Sequence, residues 1–160
     1  LVRPNDFIFL DAGSTTEQLA TYLTEKDAVY VTNGITLAQK LAQRGLKTLL
    51  LAGRVKATTD AVIGTEAVAS LQHYHFSKGF FGTNGITVEE GFTTPDIEEA
   101  MNKRVAMEHC RKCYVLADAS KFEALSNVSF GSLSKGVIIT AAQEGLNVRS
   151  YKQHTEVIVL

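Results

Sequence analysis

Residues 7–23 read FIFLDAGSTTEQLATYL. Phe7 to Leu10 are apolar at every position, and Leu19, Ala20 and Leu23 fall on one face of a helix. A strand with no polar alternation is covered on both faces, as in a parallel sheet. A strand that runs at once into a helix is the first half of a β–α–β unit. Between the two lies the loop Asp11-Ala12-Gly13-Ser14-Thr15-Thr16. It brings one acid, one glycine and three hydroxyls to the mouth of the helix.

The same rhythm continues outward. Apolar, β-branched runs recur at 28–32, 47–53, 76–82, 113–118, 136–140 and 156–160. Helical spacing links Leu37, Ala38 and Leu41, then Ala67, Val68 and Leu71. It also links Ala100, Met101, Val105 and Met107 within 95–110, where Pro95 and two acids mark the start. This alternation predicts an α/β fold with a single doubly wound, mostly parallel sheet. No linker, repeat or low-complexity segment divides 1–160, so one domain is expected.

The chain has 160 residues, 45% apolar and 21% charged, with a net charge of −1. Such a balance supports one sizeable core and suggests no nucleic-acid or membrane surface. No apolar run nears the roughly 20 residues of a membrane span, and no signal peptide is seen. The chain opens at Leu1, with a strand soon after, which suggests that a segment precedes it. Two cysteines give no disulfide framework, so the cytoplasm is the expected compartment. Cys110 and Cys113 form a CxxC beside His109, but His73, His75 and His154 have no partnered spacing. A zinc site needs four ligands. The pair therefore reads as two small buried residues at a helix–strand junction, with no metal and no cofactor expected. No Gly-x-Ser-x-Gly elbow or evident nucleophile arrangement occurs, and no catalytic residue is assigned.

In open α/β sheets ligands sit beyond the carboxyl ends of the strands. Four such ends carry small, polar or charged residues: the Asp11–Thr16 loop, Thr32-Asn33-Gly34, Gly82-Thr83-Asn84-Gly85, and Asp118-Ala119-Ser120-Lys121. They are expected to converge. Each also has a plainer reading. Ser14 or Thr15 suits a helix cap, the Asn-Gly pairs suit tight turns, and Asp118 with Lys121 suits a surface ion pair. Lys103 lies on the longest helix and faces either solvent or the crevice. Free amides at a helix start, with Gly13 and the hydroxyls, suit an anion such as the phosphate of a small sugar. Asp11 fits there if it accepts hydrogen bonds from ligand hydroxyls or ties down the loop. The loop is neither a P-loop nor a GxGxxG turn.

The segments IFLDAGSTTEQLA (8–20), VTNGI (31–35), LAGRV (51–55), FFGTNGIT (80–87), EEGFTTPDIEEAMNKRVAM (89–107), LADASKF (116–122) and VIIT (137–140) together carry a resemblance. The chain resembles the effector-binding domain of DeoR-type bacterial repressors of sugar metabolism. The resemblance implies a fold similar to ribose-5-phosphate isomerase and glucosamine-6-phosphate deaminase. It implies a phosphorylated sugar as effector and a helix-turn-helix domain upstream, through which alone operator DNA is bound. A homo-oligomer and no membrane partner are expected. The ligand positions it implies are Asp11, Gly13, Ser14, Thr15, Thr16, Thr32, Asn33, Gly82, Thr83, Asn84, Gly85, Lys103, Asp118 and Lys121. Two positions depart from the family pattern: Ala141 replaces an acid after the IIT strand, and Ser14 replaces a threonine. An isomerase or deaminase of the same fold is the alternative. The isomerase resemblance calls for an Asp-Gly-Ala-Asp segment, where this chain has Gly82-Thr83-Asn84-Gly85 without a carboxylate. The sensor is favoured.

Overall fold

The computed structural model describes residues 1–160. The first half of the chain forms β1 (Phe7–Leu10), α1 (Ser14–Ala20), β2 (Val29–Thr32), α2 (Ile35–Gln43), β3 (Lys47–Leu50), β4 (Arg54–Lys56), β5 (Ala61–Ile63) and α3 (Thr65–Gln72). The second half forms β6 (Lys78–Gly82), β7 (Gly85–Thr87), β8 (Gly91–Thr94), α4 (Ile97–Glu108), β9 (Cys113–Leu116), β10 (Val128–Gly131), β11 (Val137–Thr140) and β12 (Val157–Val159).

Seven strands build the main sheet in the order β12-β11-β9-β6-β1-β2-β3. Every neighbouring pair in it is parallel. The chain steps outward from β1 to β3 and then returns to the other side of β1 with β6. The direction of winding therefore reverses between β1 and β6, which is where such sheets open a crevice.

Strand side chains alternate between the two faces, and β1 shows why it had to be apolar throughout. Ile8 and Leu10 join the cluster containing Ala20, Leu37 and Leu41 on the α1–α2 side. Phe9 joins the cluster containing Ala67, Leu71 and Ala106 on the α3–α4 side. Neighbouring strands repeat the pattern: Phe80 stacks on Tyr114 with ring centroids 5.1 Å apart, and Phe9 meets Phe81 at 5.5 Å. Helices cover both faces, as the doubly wound reading requires.

Two smaller sheets were not anticipated. β7, β8 and β10 form an antiparallel sheet, and β4 pairs with β5 as a hairpin. Several expected boundaries also shorten. α1 ends at Ala20, leaving Leu23 buried beyond it. β3 stops at Leu50, before Gly53 turns the chain at φ +145°. β6 starts at Lys78, and Phe76 keeps only an isolated bridge to Cys110. No helix is long and apolar enough to cross a membrane.

Candidate functional site

β1 ends at Leu10 and delivers Asp11 to the crevice, where the side chain is buried. Its Oδ2 accepts a hydrogen bond from the Gly82 N–H at 3.1 Å and pairs with the Lys103 ammonium. Lys103 also donates to the Gly82 carbonyl at 3.0 Å. One carboxylate thus joins the ends of β1 and β6 to the middle of α4. Burial pushes the Asp11 carboxyl above its usual range, and the Lys103 charge and the Gly82 amide pull against that rise.

α4 holds Lys103 in place because its start is well fixed. Asp96 caps the helix, accepting from Glu98 N–H at 3.0 Å and Glu99 N–H at 2.9 Å. The Glu99 amide and the Lys56 ammonium keep the Asp96 carboxyl below its usual range. Lys103, two turns in, is also buried, and its ammonium lies 5.3 Å from the Phe130 ring centre.

The loop after β1 is shaped from within. Gly13 adopts φ +154°, which favours glycine. The Thr16 hydroxyl reaches back to the Asp11 carbonyl at 2.5 Å and the Gly13 carbonyl at 2.8 Å. Ala12 N–H donates to Asn33 Oδ1 at 2.8 Å, joining this loop to the end of β2. The Thr32 hydroxyl accepts from Gly34 N–H at 3.0 Å. Ser14 and Thr15 remain exposed, and neither caps α1.

These loops enclose a pocket of about 210 Å³. Asp11, Gly13, Ser14, Thr15, Asn33, Gly82, Thr83, Asn84, Lys103 and Lys121 line it, together with Ala12, Ala61, Thr59 and Glu99. Ten of the fourteen sequence-derived positions therefore meet in one place. The other four lie outside the lining. Thr16 and Thr32 are buried and serve their own loops. Gly85 is buried in β7, where a Cβ would fall 2.2 Å from the Ala124 carbonyl. Asp118 turns away and accepts from the Ser120 amide at 2.8 Å and hydroxyl at 2.5 Å. Those contacts hold its carboxyl below the usual range. It lines a different cleft, beside Glu123 and residues 143–147.

Thr59 and Glu99 were not foreseen. Glu99 Oε1 accepts from Lys56 at 2.9 Å and from Thr59 at 2.7 Å, so the β4–β5 turn is strapped to α4. The available signal was spacing: Glu99 lies four residues before Lys103, on the same helix face. Thr59 sits in a polar turn that carries no such signal.

Both carboxylates that line the pocket are already paired with lysines. Lys121 forms no ion pair within 4.0 Å, so it is the pocket's free cation, beside exposed hydroxyls and loop amides. A parallel α/β sheet with a small polar pocket at its switch point is the arrangement in which such folds hold small ligands.

The comparisons narrow that class. Residues 1–141 match the family described as the DeoR C terminal sensor domain, and the chain belongs to it. It is 40% identical over 161 residues to an HTH-type transcriptional regulator, FruR, of Bacillus subtilis, covering 100% of this chain and 64% of the relative. It is 32% identical over 162 residues to a lactose phosphotransferase system repressor of Streptococcus mutans, covering 99% and 64%. The chain thus spans just under two thirds of the length of these relatives. Among solved structures, ribose 5-phosphate isomerase A of Neisseria gonorrhoeae shares the fold. The TM-score is 0.53 at 14% identity, covering 79% of this chain and 49% of the other. So does eIF2B delta of Chaetomium thermophilum, with a TM-score of 0.54 at 15% identity, covering 76% and 44%.

Proposed function

We propose that the pocket beyond β1, β2 and β6 binds a phosphorylated sugar. Its occupancy then controls operator binding by a helix-turn-helix segment outside this chain. The observation that carries the reading is the pairing inside the pocket. Asp11 and Glu99 are held by lysines, which leaves Lys121, the loop amides and the Ser14 and Thr15 hydroxyls to meet an anion. Amides and hydroxyls suit phosphate oxygens and sugar hydroxyls, and the small volume suits a monosaccharide rather than a dinucleotide. The names of the relatives, transcriptional regulators and a lactose phosphotransferase system repressor, support a sensor working in the cytoplasm.

An isomerase needs a positioned base that is free to take a proton. Asp11 is committed to Lys103 and Gly82, and Glu99 Oε1 to Lys56 and Thr59. That commitment favours binding over turnover. Thermal shift with hexose, ketose and deoxyribose phosphates, each beside its unphosphorylated parent, tests the reading. A fitting phosphate at 100 times its Kd stabilises the fold by about 2.7 kcal/mol. Equal shifts with parent and phosphate, or steady turnover of ribose 5-phosphate or glucosamine 6-phosphate, would overturn it.

A further inference from the structure

The sulfur pair lies at the opposite end of the strands from the pocket, where β9 begins. Cys110 follows α4 and is half-buried, and Cys113 opens β9 and is buried. Gly79 of β6 is the register partner of Cys113. A Cβ on Gly79 would lie 2.6 Å from Cys110 Sγ. The Cys110 sulfur therefore fills the space that a side chain at 79 would take. Register partners on neighbouring strands send their side chains to the same face. Both thiols thus share one face, where the Cys113 thiol donates to the Met107 carbonyl at 3.6 Å. A surface cleft of about 360 Å³ is lined by both cysteines. Arg111, Lys112 and Lys135 line the same cleft.

The two thiols are not equivalent. The neighbouring Cys110 sulfur and the charge of Lys135 hold the Cys113 thiol below its usual range against burial, while the neighbouring Cys113 sulfur and burial push Cys110 up. The thiolate is the reactive form, and Lys135, in the same cleft, is the cation that favours it on Cys113, which makes Cys113 the nucleophile and Cys110 the resolving partner.

We propose that Cys110 and Cys113 are a peroxide-oxidisable dithiol that closes to an intramolecular disulfide where α4 meets β9. The Cys113 thiolate attacks one oxygen of hydrogen peroxide. The O–O bond breaks, and the leaving hydroxide takes the proton lost by the thiol, giving water and Cys113 sulfenic acid. The Cys110 sulfur then attacks Cys113 Sγ. The S–S bond forms, the S–O bond breaks, and the hydroxide leaves with the Cys110 proton as a second water. The dithiol loses two electrons and two protons, and peroxide gains them.

The test is peroxide treatment of the full chain, followed by denaturation, alkylation of free thiols and intact mass. Monomer lighter by two hydrogen atoms, with neither cysteine alkylated, is the expected result. Cys110→Ser should stop at a dimedone-trapped sulfenic acid on Cys113, and Cys113→Ser should react far more slowly. A wild-type protein that keeps both thiols while added glutathione is consumed would overturn the proposal. Disulfide-linked dimer as the main product would overturn it as well, as would equal reactivity of the two serine variants. The wild-type mass decides the matter even if a variant folds poorly.

Discussion

The Asp11–Lys103 pair allows a sharp test because both partners are buried and one has no substitute. Lys103→Met keeps the length of the side chain and removes the charge. Asp11 then keeps the Gly82 amide at 3.1 Å but loses its cation. Breaking one side of a buried pair costs about 3–5 kcal/mol, because the remaining charge stays desolvated. For a domain of this size that lowers Tm by roughly 6–20 °C. The loss depends on pH with a definite sign. Burial already raises the Asp11 carboxyl and Lys103 opposes the rise, so removing Lys103 raises it further. The folded variant then binds the Asp11 proton more tightly than the unfolded chain, whose carboxyl titrates near ~3.9. The Asp11 contribution to its stability is fully present below that value and is lost as pH rises through the raised folded value. Urea unfolding between acid and neutral pH should therefore show the gap from wild type widening with pH. Adding Asp11→Asn to Lys103→Met should recover part of the loss, since the amide oxygen can still accept from Gly82. A Lys103→Met protein within about 1 kcal/mol of wild type at every pH, on the scale of an exposed pair, would refute the reasoning.

Ser14→Ala with Thr15→Ala should leave the unfolding midpoint nearly unchanged, because both side chains are exposed, while calorimetry shows weaker binding of a sugar phosphate. Thr16→Val removes the hydroxyl bonded to the Asp11 and Gly13 carbonyls. It should cost about 1–3 kcal/mol in urea unfolding, and a neutral result would show that the loop holds its shape without it. Gly85→Ala forces a Cβ towards the Ala124 carbonyl and should destabilise by about 1–3 kcal/mol, read as a lower Tm. Lys121→Ala should weaken sugar-phosphate binding with little change in stability, and Asp118→Ala should leave binding intact, since Asp118 faces another cleft. Equal losses of affinity in the two variants would return Asp118 to the pocket.

The inner strands of the main sheet were legible because they are near-continuous apolar runs, a pattern imposed by cover on both faces, while the edge strand β3, KTLL, is largely exposed. The small strands were not. GIT and GFTT carry glycine and threonine, and RVK carries charge. β7 with β8 and β4 with β5 pair across short local turns, and only β10 comes from far along the chain, but GIT, GFTT and RVK lack the apolar run that marks a strand. The site was legible to the extent that strand ends converge by topology. What sequence could not separate is outward from inward within one loop. Thr15 and Thr16 are adjacent and chemically alike, yet one is exposed and the other is buried against its own carbonyls. The same holds for Asp118 and Lys121, which sequence spacing joined and a short turn points into different clefts.

The acid in the first loop looked like an obstacle to binding an anion, and its geometry removes the difficulty. Asp11 is the internal counter-ion of a lysine that would otherwise be buried alone. A phosphate that drew Lys103 away would leave Asp11 unpaired, at about 3–5 kcal/mol. That is a large share of the roughly 8 kcal/mol available to a micromolar ligand. A ligand that leaves the pair intact and adds to it avoids this loss. The part of the wall then free to respond is the turn carrying Lys121, which is only partly buried and has no ion-pair partner to give up. A sensor built this way keeps its central pair fixed in both states. It can report occupancy only if a neighbouring segment packs differently against the Lys121 turn when ligand is bound, since coupling needs unequal affinity between the two states.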